Sequence, residues 1–375
     1  MRKTGEGITI AERLAVADGH PLGFDYLRLI LALSVLGFHS FTTTHNIAAD
    51  HLLWRGPWRL VLRPILPTFF ALSGFLVAGS LSRSTGVVEF LTRRVLRIVP
   101  ALLAEILLSA LVLGPLLTTF PLHRYFTDRE FFTYFLNAVG DVHFSLPGVF
   151  LDNPRAGLVN GSLWTIPFEG LCYLTLTTLA IAGLARHRRL MLLIAASASI
   201  ALSLQAIHDR EIDWAPTGSF LVASFFAGIA LFLNRDYIPV TRWLTASAAI
   251  ATFVLLSFDG LMYLAAVPLA YVTVCLGLTR PPDTIAVRGD YSYGVYLFAY
   301  PIQQACVQLS PGLRSTWSIF LVAAPLSVAY ACFSWHCIER PILSRKRRIA
   351  ASITRHFSSV WQFPALAGPS AQPSD

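Results

Sequence analysis

Two ionisable residues, Arg28 and His39, sit on one apolar stretch, FDYLRLILALSVLGFHS, residues 24–40. They are eleven residues apart. At about 100° per residue, eleven steps make three turns plus ~20°, so a helix here points both side chains the same way. At about 1.5 Å per residue they lie roughly 16 Å apart along the axis, about half a bilayer core. An unperturbed imidazole titrates near neutrality, which suits a general base. Asp25 is one turn before Arg28, where an ion pair forms naturally. Ionisable groups within a membrane span carry functional meaning by default. The alternative is that Arg28 snorkels to the headgroups while His39 satisfies a neighbouring helix.

Three further clusters stand out against the apolar background. In Arg93-Arg94-Val95-Leu96-Arg97, Arg94 and Arg97 share a helical face, and planar guanidinium forks bind phosphate bidentately. Topology alone would also put arginines there. Asn160-Gly161-Ser162-Leu163-Trp164-Thr165 precedes Glu169 and Tyr173, which are i,i+4 on one face. Glu169 falls in the first turns of an apolar stretch, where a buried carboxylate needs a partner; Trp164 fits an aromatic belt equally well. The last cluster joins Gly289–Tyr296, with Ser292 and Tyr296, to His336, Glu339, Arg340 and Pro341. Arg340 and Pro341 could simply end a helix, and Glu339 could serve a structural ion pair as readily as function.

Apolar helices must position these groups. Of 375 residues, 55% are hydrophobic and 13% charged, and the mean hydropathy is +0.59; a soluble domain carries about 25% charged residues. The expected fold is all-α, a polytopic integral membrane protein of ten transmembrane helices at about 25–44, 58–82, 96–118, 161–183, 190–207, 217–233, 243–257, 261–279, 291–309 and 315–338. The net charge of +8 comes from basic residues in short loops, a positive-inside pattern rather than a nucleic-acid surface. Lys and Arg are richest on the side that ten spans assign to both termini, so the termini are expected in the cytoplasm. The chain divides into an N-terminal tail (1–24), a membrane domain (25–342) and a tail (343–375) that is basic, then Pro/Ser/Ala-rich and expected to be disordered. The first twenty residues lack the apolar core of a cleavable signal peptide. Residues 119–160 are the longest polar segment, and their FFTYFLNAV portion is too short to span. Cys172, Cys275, Cys306, Cys332 and Cys337 show no metal-ligand spacing and read as small core residues. Nucleotide-binding glycine patterns are absent as well. These observations define a membrane protein with a polar inward path and leave carrier, enzyme and scaffold open.

Taken in order, Asp25-x-x-Arg28, the ten residues between Arg28 and His39, PTFFALSGFL at 67–76, RRVLRIVP at 93–100, SLWTIPFEGLCY at 162–173, YSYGVYL at 291–297 and IERP at 338–341 resemble the acyltransferase-3 family of bacterial membrane O-acyltransferases. The resemblance covers roughly residues 24–342. It implies ten spans in the bacterial cytoplasmic (inner) membrane and acyl transfer, acetyl by default, from acyl-CoA to a hydroxyl of a carbohydrate or glycolipid. Acyl-CoA would be a co-substrate, with no metal or permanently bound cofactor. The family's essential arginine–histidine pair falls on Arg28 and His39, its Arg-x-x-Arg on Arg94 and Arg97, and its Ser-Leu-Trp and carboxylate segment on Ser162, Leu163, Trp164 and Glu169. Arg94, Arg97 and Arg28 would hold the donor's phosphates, and His39 would act as general base or acyl carrier. Glu169 would orient His39 or bind acceptor hydroxyls. Asn160, Ser162 and Tyr296 are candidate donors to the thioester carbonyl; Trp164, Tyr173 and Ser292 complete the candidate substrate contacts. Residues 119–160 would form an outer lid. In one departure, Ala299 stands where many members carry a histidine, and Gln303 and Gln304 are expected to line that region. The competing reading is a transporter or flippase whose path Arg28 and His39 line without acyl chemistry.

Overall fold

The computed structural model describes residues 8–17, 21–209, 215–279, 289–310, 312 and 314–357. Within them the chain is helical, with only isolated β-bridges and no strand. Among the described residues ten principal helices overlap the ten expected stretches, with α3 starting well before the expected 96: α1 Gly23–Thr44, α2 Arg59–Ser82, α3 Val87–Leu117, α4 Ile166–Ile181, α5 Arg188–Asp209, α6 Gly218–Leu233, α7 Arg242–Ser257, α8 Met262–Gly277, α9 Ser292–Leu309 and α10 Thr316–Ser344. Five of them (α1, α2, α3, α5 and α10) are long and apolar enough to cross a membrane, and α6, α7 and α8 are shorter apolar helices. The chain is a multi-pass membrane protein. Arg280 and Arg288, two of the basic residues behind the expected orientation, and the Pro/Ser/Ala-rich end lie outside the described residues.

Helix α2 packs most extensively on α6. Two glycines allow it: a Cβ on Gly74 would strike the Phe225 carbonyl, and one on Gly228 would strike that of Ala71. Where apolar helices lie in lipid, close backbone approach at small residues supplies the packing that water would otherwise drive. The start of α1 meets the end of α8, with Gly23 against the carbonyls of Gly277 and Thr279. The short helix Ile10–Val16 reaches the α6–α7 connection, where Ile10 N–H donates to Ile238 O at 3.0 Å. On the opposite face, Arg63 at the start of α2 is fully buried; it donates to Leu256 O at 2.7 Å and lies 2.8 Å from Asp259, between α7 and α8. These contacts join segments that alternating topology expects on one face.

Residues 119–160 fold over one end as short helices, Leu122–Thr127, Arg129–Tyr134 and Phe135–Val139, followed by irregular chain. Tyr125, Phe131, Tyr134, Phe150 and Val159 form one apolar cluster with α3 and α9. Helix α3 widens into a π-turn over Ser109–Leu113, and the Tyr125 hydroxyl donates to Ala110 O at 2.7 Å. A second π-turn, Trp335–Glu339, precedes Pro341; proline cannot donate to the preceding turn, and the helix widens around the defect. The basic segment after α10 begins as a helix, Lys346–Phe357, packed on α3. Cys172 and Cys275 are buried and Cys306 and Cys332 partly so, whereas Cys337 is exposed and is no core residue.

Candidate active site

Arg28 and His39 do occupy one side of α1, but they open into different cavities. The inner cavity is lined by Arg28 from α1, Arg94 and Arg97 from α3, Glu169 and Tyr173 from α4, and Ser292 and Tyr296 from α9, with an apolar wall from α2 that includes Leu66 and Phe69. His39 lines an outer cavity with Asp50, Trp54, Arg155, Trp164 and Tyr300. Leu66 and Tyr296 line both, so the two meet at these side chains.

The inner arginines have unequal partners. Arg28 Nη1 donates to Asp25 Oδ1 and to Asp290 Oδ2, each at 3.1 Å. Arg97 Nη2 donates to Asp290 Oδ2 at 2.6 Å and its Nη1 to Glu339 Oε2 at 2.9 Å. Ser292 Oγ donates to Asp290 Oδ1 at 2.6 Å. Burial works to raise the Asp290 carboxyl, but the Arg97 and Arg28 guanidinium groups and Ser292 outweigh it and hold it at about 2. Arg94 makes no ion pair among the described residues: Nη2 donates to Ser80 Oγ at 3.2 Å, Nε is buried without a partner, and the guanidinium faces the Tyr173 ring at 5.9 Å. The Tyr173 hydroxyl donates to Glu169 Oε1. The i,i+4 spacing of Glu169 and Tyr173 therefore makes a pair, and it places Glu169 with the arginines rather than with His39.

A proline explains Asn160. Pro301 lacks an N–H, which frees the Leu297 carbonyl from its helical partner; Asn160 Nδ2 donates to that carbonyl at 2.9 Å. Its Oδ1 accepts from Ser162 N–H at 2.9 Å and caps the turn Gly161–Thr165. Asn160 is thus committed at both ends, and neither it nor Ser162 lines either cavity. The turn brings Trp164 to the outer cavity, and α4 continues from it to carry Glu169 to the inner one. Tyr296 Oη bonds Thr165 Oγ1 at 2.7 Å and donates to Ser162 O at 3.2 Å. Ala299 is buried between α1, α9 and α10. Gln303 and Gln304 are fully buried and tie helices and chain together instead of lining a path: Gln303 Nε2 donates to Leu36 O and Ser40 Oγ, each at 2.7 Å.

In the outer cavity His39 is 9% exposed, meets Tyr300 edge-to-face at 4.9 Å, and keeps Nδ1 buried without a hydrogen-bond partner. Arg155 Nη2 lies 2.8 Å from Asp50 Oδ2, joining the irregular chain of 119–160 to the short helix Ile47–Arg55. Burial raises the Asp50 carboxyl above its ordinary value, against the pull of Arg155, His51 and His45. Sequence reasoning passed over Asp290, Asp50 and Arg155 as site residues. Asp290 lay within a quoted motif and could have been paired with Arg28 or Arg97; nothing local marks the other two. Among the described residues no His/Cys/Asp/Glu group is placed to hold a metal.

The acyltransferase-3 family, described as an acyltransferase domain, matches residues 22–336. An "O-acetyl transferase" of Shigella phage Sf6 is 25% identical over 335 residues, 86% of this chain and 96% of the relative. "Nodulation protein 10" of Rhizobium leguminosarum bv. viciae is 28% identical over 371 residues, 89% of this chain and 96% of the relative. No solved structure gives a significant match.

Proposed function

Because the chain belongs to the acyltransferase-3 family, we propose that it transfers an acyl group, acetyl by default, from acyl-CoA to a hydroxyl of a carbohydrate or glycolipid in the bacterial cytoplasmic membrane. One observation carries the reading: a cavity lined by three arginines and a cavity lined by His39 meet at Leu66 and Tyr296. A donor with an anionic head and a long flexible arm suits that geometry. Its phosphates would lie against Arg94, whose guanidinium the protein leaves without a carboxylate. The arm would pass Leu66 and Tyr296 and bring the thioester to His39, roughly 16 Å along α1 from Arg28. There the imidazole would take the acceptor's hydroxyl proton as that oxygen attacks the carbonyl carbon. The family relatives, one of them named an O-acetyl transferase, support oxygen as the acceptor atom. The arginine-rich face, with both termini, would lie in the cytoplasm, where acyl-CoA is made, and the acceptor would enter the outer cavity.

The test is thioester turnover by the purified chain in nanodiscs with acetyl-CoA, beside His39→Ala. Slow release of free CoA by the wild type, lost in the variant while acetyl-CoA still binds, is the expected result. Equal release by both moves the chemistry off His39. Absence of acetyl-CoA binding removes the donor and leaves a carrier as the better reading.

A further inference from the structure

The reaction needs a donor for the negative charge that develops on the thioester oxygen; Asn160 and Tyr296 are committed to other partners, and Ser162 is buried away from both cavities. Arg155 is placed differently. It lines the outer cavity with His39 and stands within electrostatic range of the imidazole. Its backbone carbonyl accepts from Gln304 Nε2 at 2.9 Å, and Gln304 is held in turn by Asn153 Nδ2, which donates to its Oε1 at 2.9 Å. Its guanidinium is held by Asp50, 2.8 Å away and 7% exposed. An arginine has five N–H donors. The Asp50 contact engages Nη2 and the Tyr300 hydroxyl lies beside the guanidinium, which leaves further N–H groups of the fork to meet a ligand. A cation fixed at both ends, with donors to spare beside the base, is preorganised for an oxyanion, and such preorganisation is worth most away from water.

We propose that Arg155 stabilises the tetrahedral oxyanion formed beside His39 and that Asp50 positions it; this rests on the acyl-transfer reading above. In the step, the acceptor's oxygen bonds to the carbonyl carbon while His39 takes its proton. The carbonyl π pair moves onto oxygen, facing Arg155. As the oxyanion collapses, the C–S bond breaks, its electron pair goes to sulfur, and the imidazolium returns the proton to the thiolate. Atoms and charge balance with no other reactant, and water in place of the alcohol gives acetic acid and CoA by the same route.

That hydrolysis allows a test without the natural acceptor. Full-length chain in nanodiscs is given acetyl-CoA, and CoA release is followed for wild type, Arg155→Gln, Arg155→Lys and Asp50→Asn, with acetyl-CoA Kd and thermal midpoint measured for each. Arg155→Gln should lower kcat by about 10²–10³-fold, the loss typical of one oxyanion donor. KM and Kd should stay within about threefold, because the donor's head lies in the other cavity. Arg155→Lys should recover about tenfold of that loss, since it restores the charge but not the fork. Asp50→Asn should lose roughly tenfold in kcat alone. Wild-type kcat in Arg155→Gln overturns the proposal. So does a loss matched by a raised Kd or a lowered midpoint in both Arg155 variants, which would make the residue structural. A wild type that releases no CoA overturns the acyl-transfer reading, and this inference with it.

Discussion

Arg97 Nη2 lies 2.6 Å from Asp290 Oδ2. The same oxygen accepts from Arg28 at 3.1 Å, and Glu339 takes the other end of Arg97. One half-buried carboxylate therefore ties α1 to α3 at the start of α9. The two arginines of the Arg-x-x-Arg motif acquire different tasks from this: Arg97 holds helices together, and Arg94 faces the cavity without a carboxylate.

The substitutions Arg94→Gln and Arg97→Gln should separate these tasks. Arg94→Gln should raise KM for acetyl-CoA by about tenfold, the effect of losing one charge-assisted contact, with little change in thermal midpoint. Arg97→Gln should lower stability by about 3 kcal/mol, because it leaves two carboxylates short of a partner. Acetyl-CoA titration and thermal scans on the same preparations read both. The reverse pattern would make Arg97 the donor contact.

Asp290 should also give the fold an acid limit. Its carboxyl sits at about 2 in the folded chain, below the ~3.9 of an unfolded aspartate. A depressed carboxyl stabilises fully above about pH 4, and the contribution fades as pH falls toward 2. It amounts to roughly 2 kcal/mol at neutral pH. Asp290→Asn should therefore be less stable than wild type at pH 7, with the gap narrowing below about pH 4. A gap that is constant with pH would place the loss in shape rather than charge.

The helices were legible in the sequence because their cause is local: long apolar runs with basic ends mark where they fall. Arg28 and His39 were legible for the same reason, since one helical period relates them. The Asp25–Arg28 and Glu169–Tyr173 pairs followed from i,i+3 and i,i+4 spacing. What escaped depends on contacts between distant segments. Arg63 meets Asp259 across 196 positions, and Asn160 meets the Leu297 carbonyl across 137. Neither partner announces the other; the second pairing makes sense only once Pro301 is seen to free that carbonyl. Asp50 and Arg155 become neighbours only through the way 119–160 folds back over the bundle.

The glycine contact between α2 and α6 predicts a sharp packing effect. A side chain at Gly228 would meet the Ala71 carbonyl and the Phe75 amide, backbone that no rotamer change can move. Gly228→Leu should lower the thermal midpoint or abolish insertion, at a cost beyond the ~1–3 kcal/mol typical of overpacking. Gly170→Ala, where a Cβ meets nothing within 4 Å, serves as the control and should behave like wild type. Wild-type stability in Gly228→Leu would mean that α2 and α6 do not pack this closely.

Ala299 stands where the resemblance to the acyltransferase-3 family leads to the expectation of a histidine. Here the residue is 1% exposed and packs with Ala32, Leu36, Val295 and Ala331. Small side chains let α1, α9 and α10 approach, and Gln303 of α9 donates to Leu36 O of α1. An imidazole at 299 would have to push these helices apart and find hydrogen-bond partners where the neighbours are apolar. Ala299→His should thus cost about 2–4 kcal/mol through overpacking and an unsatisfied polar ring. CoA release should not rise, because the residue lines neither cavity. Thermal scans and acetyl-CoA turnover on the variant decide it. A faster enzyme of unchanged stability would show that α9 can turn this position toward the reacting groups, and that the outer cavity is built to hold a second imidazole.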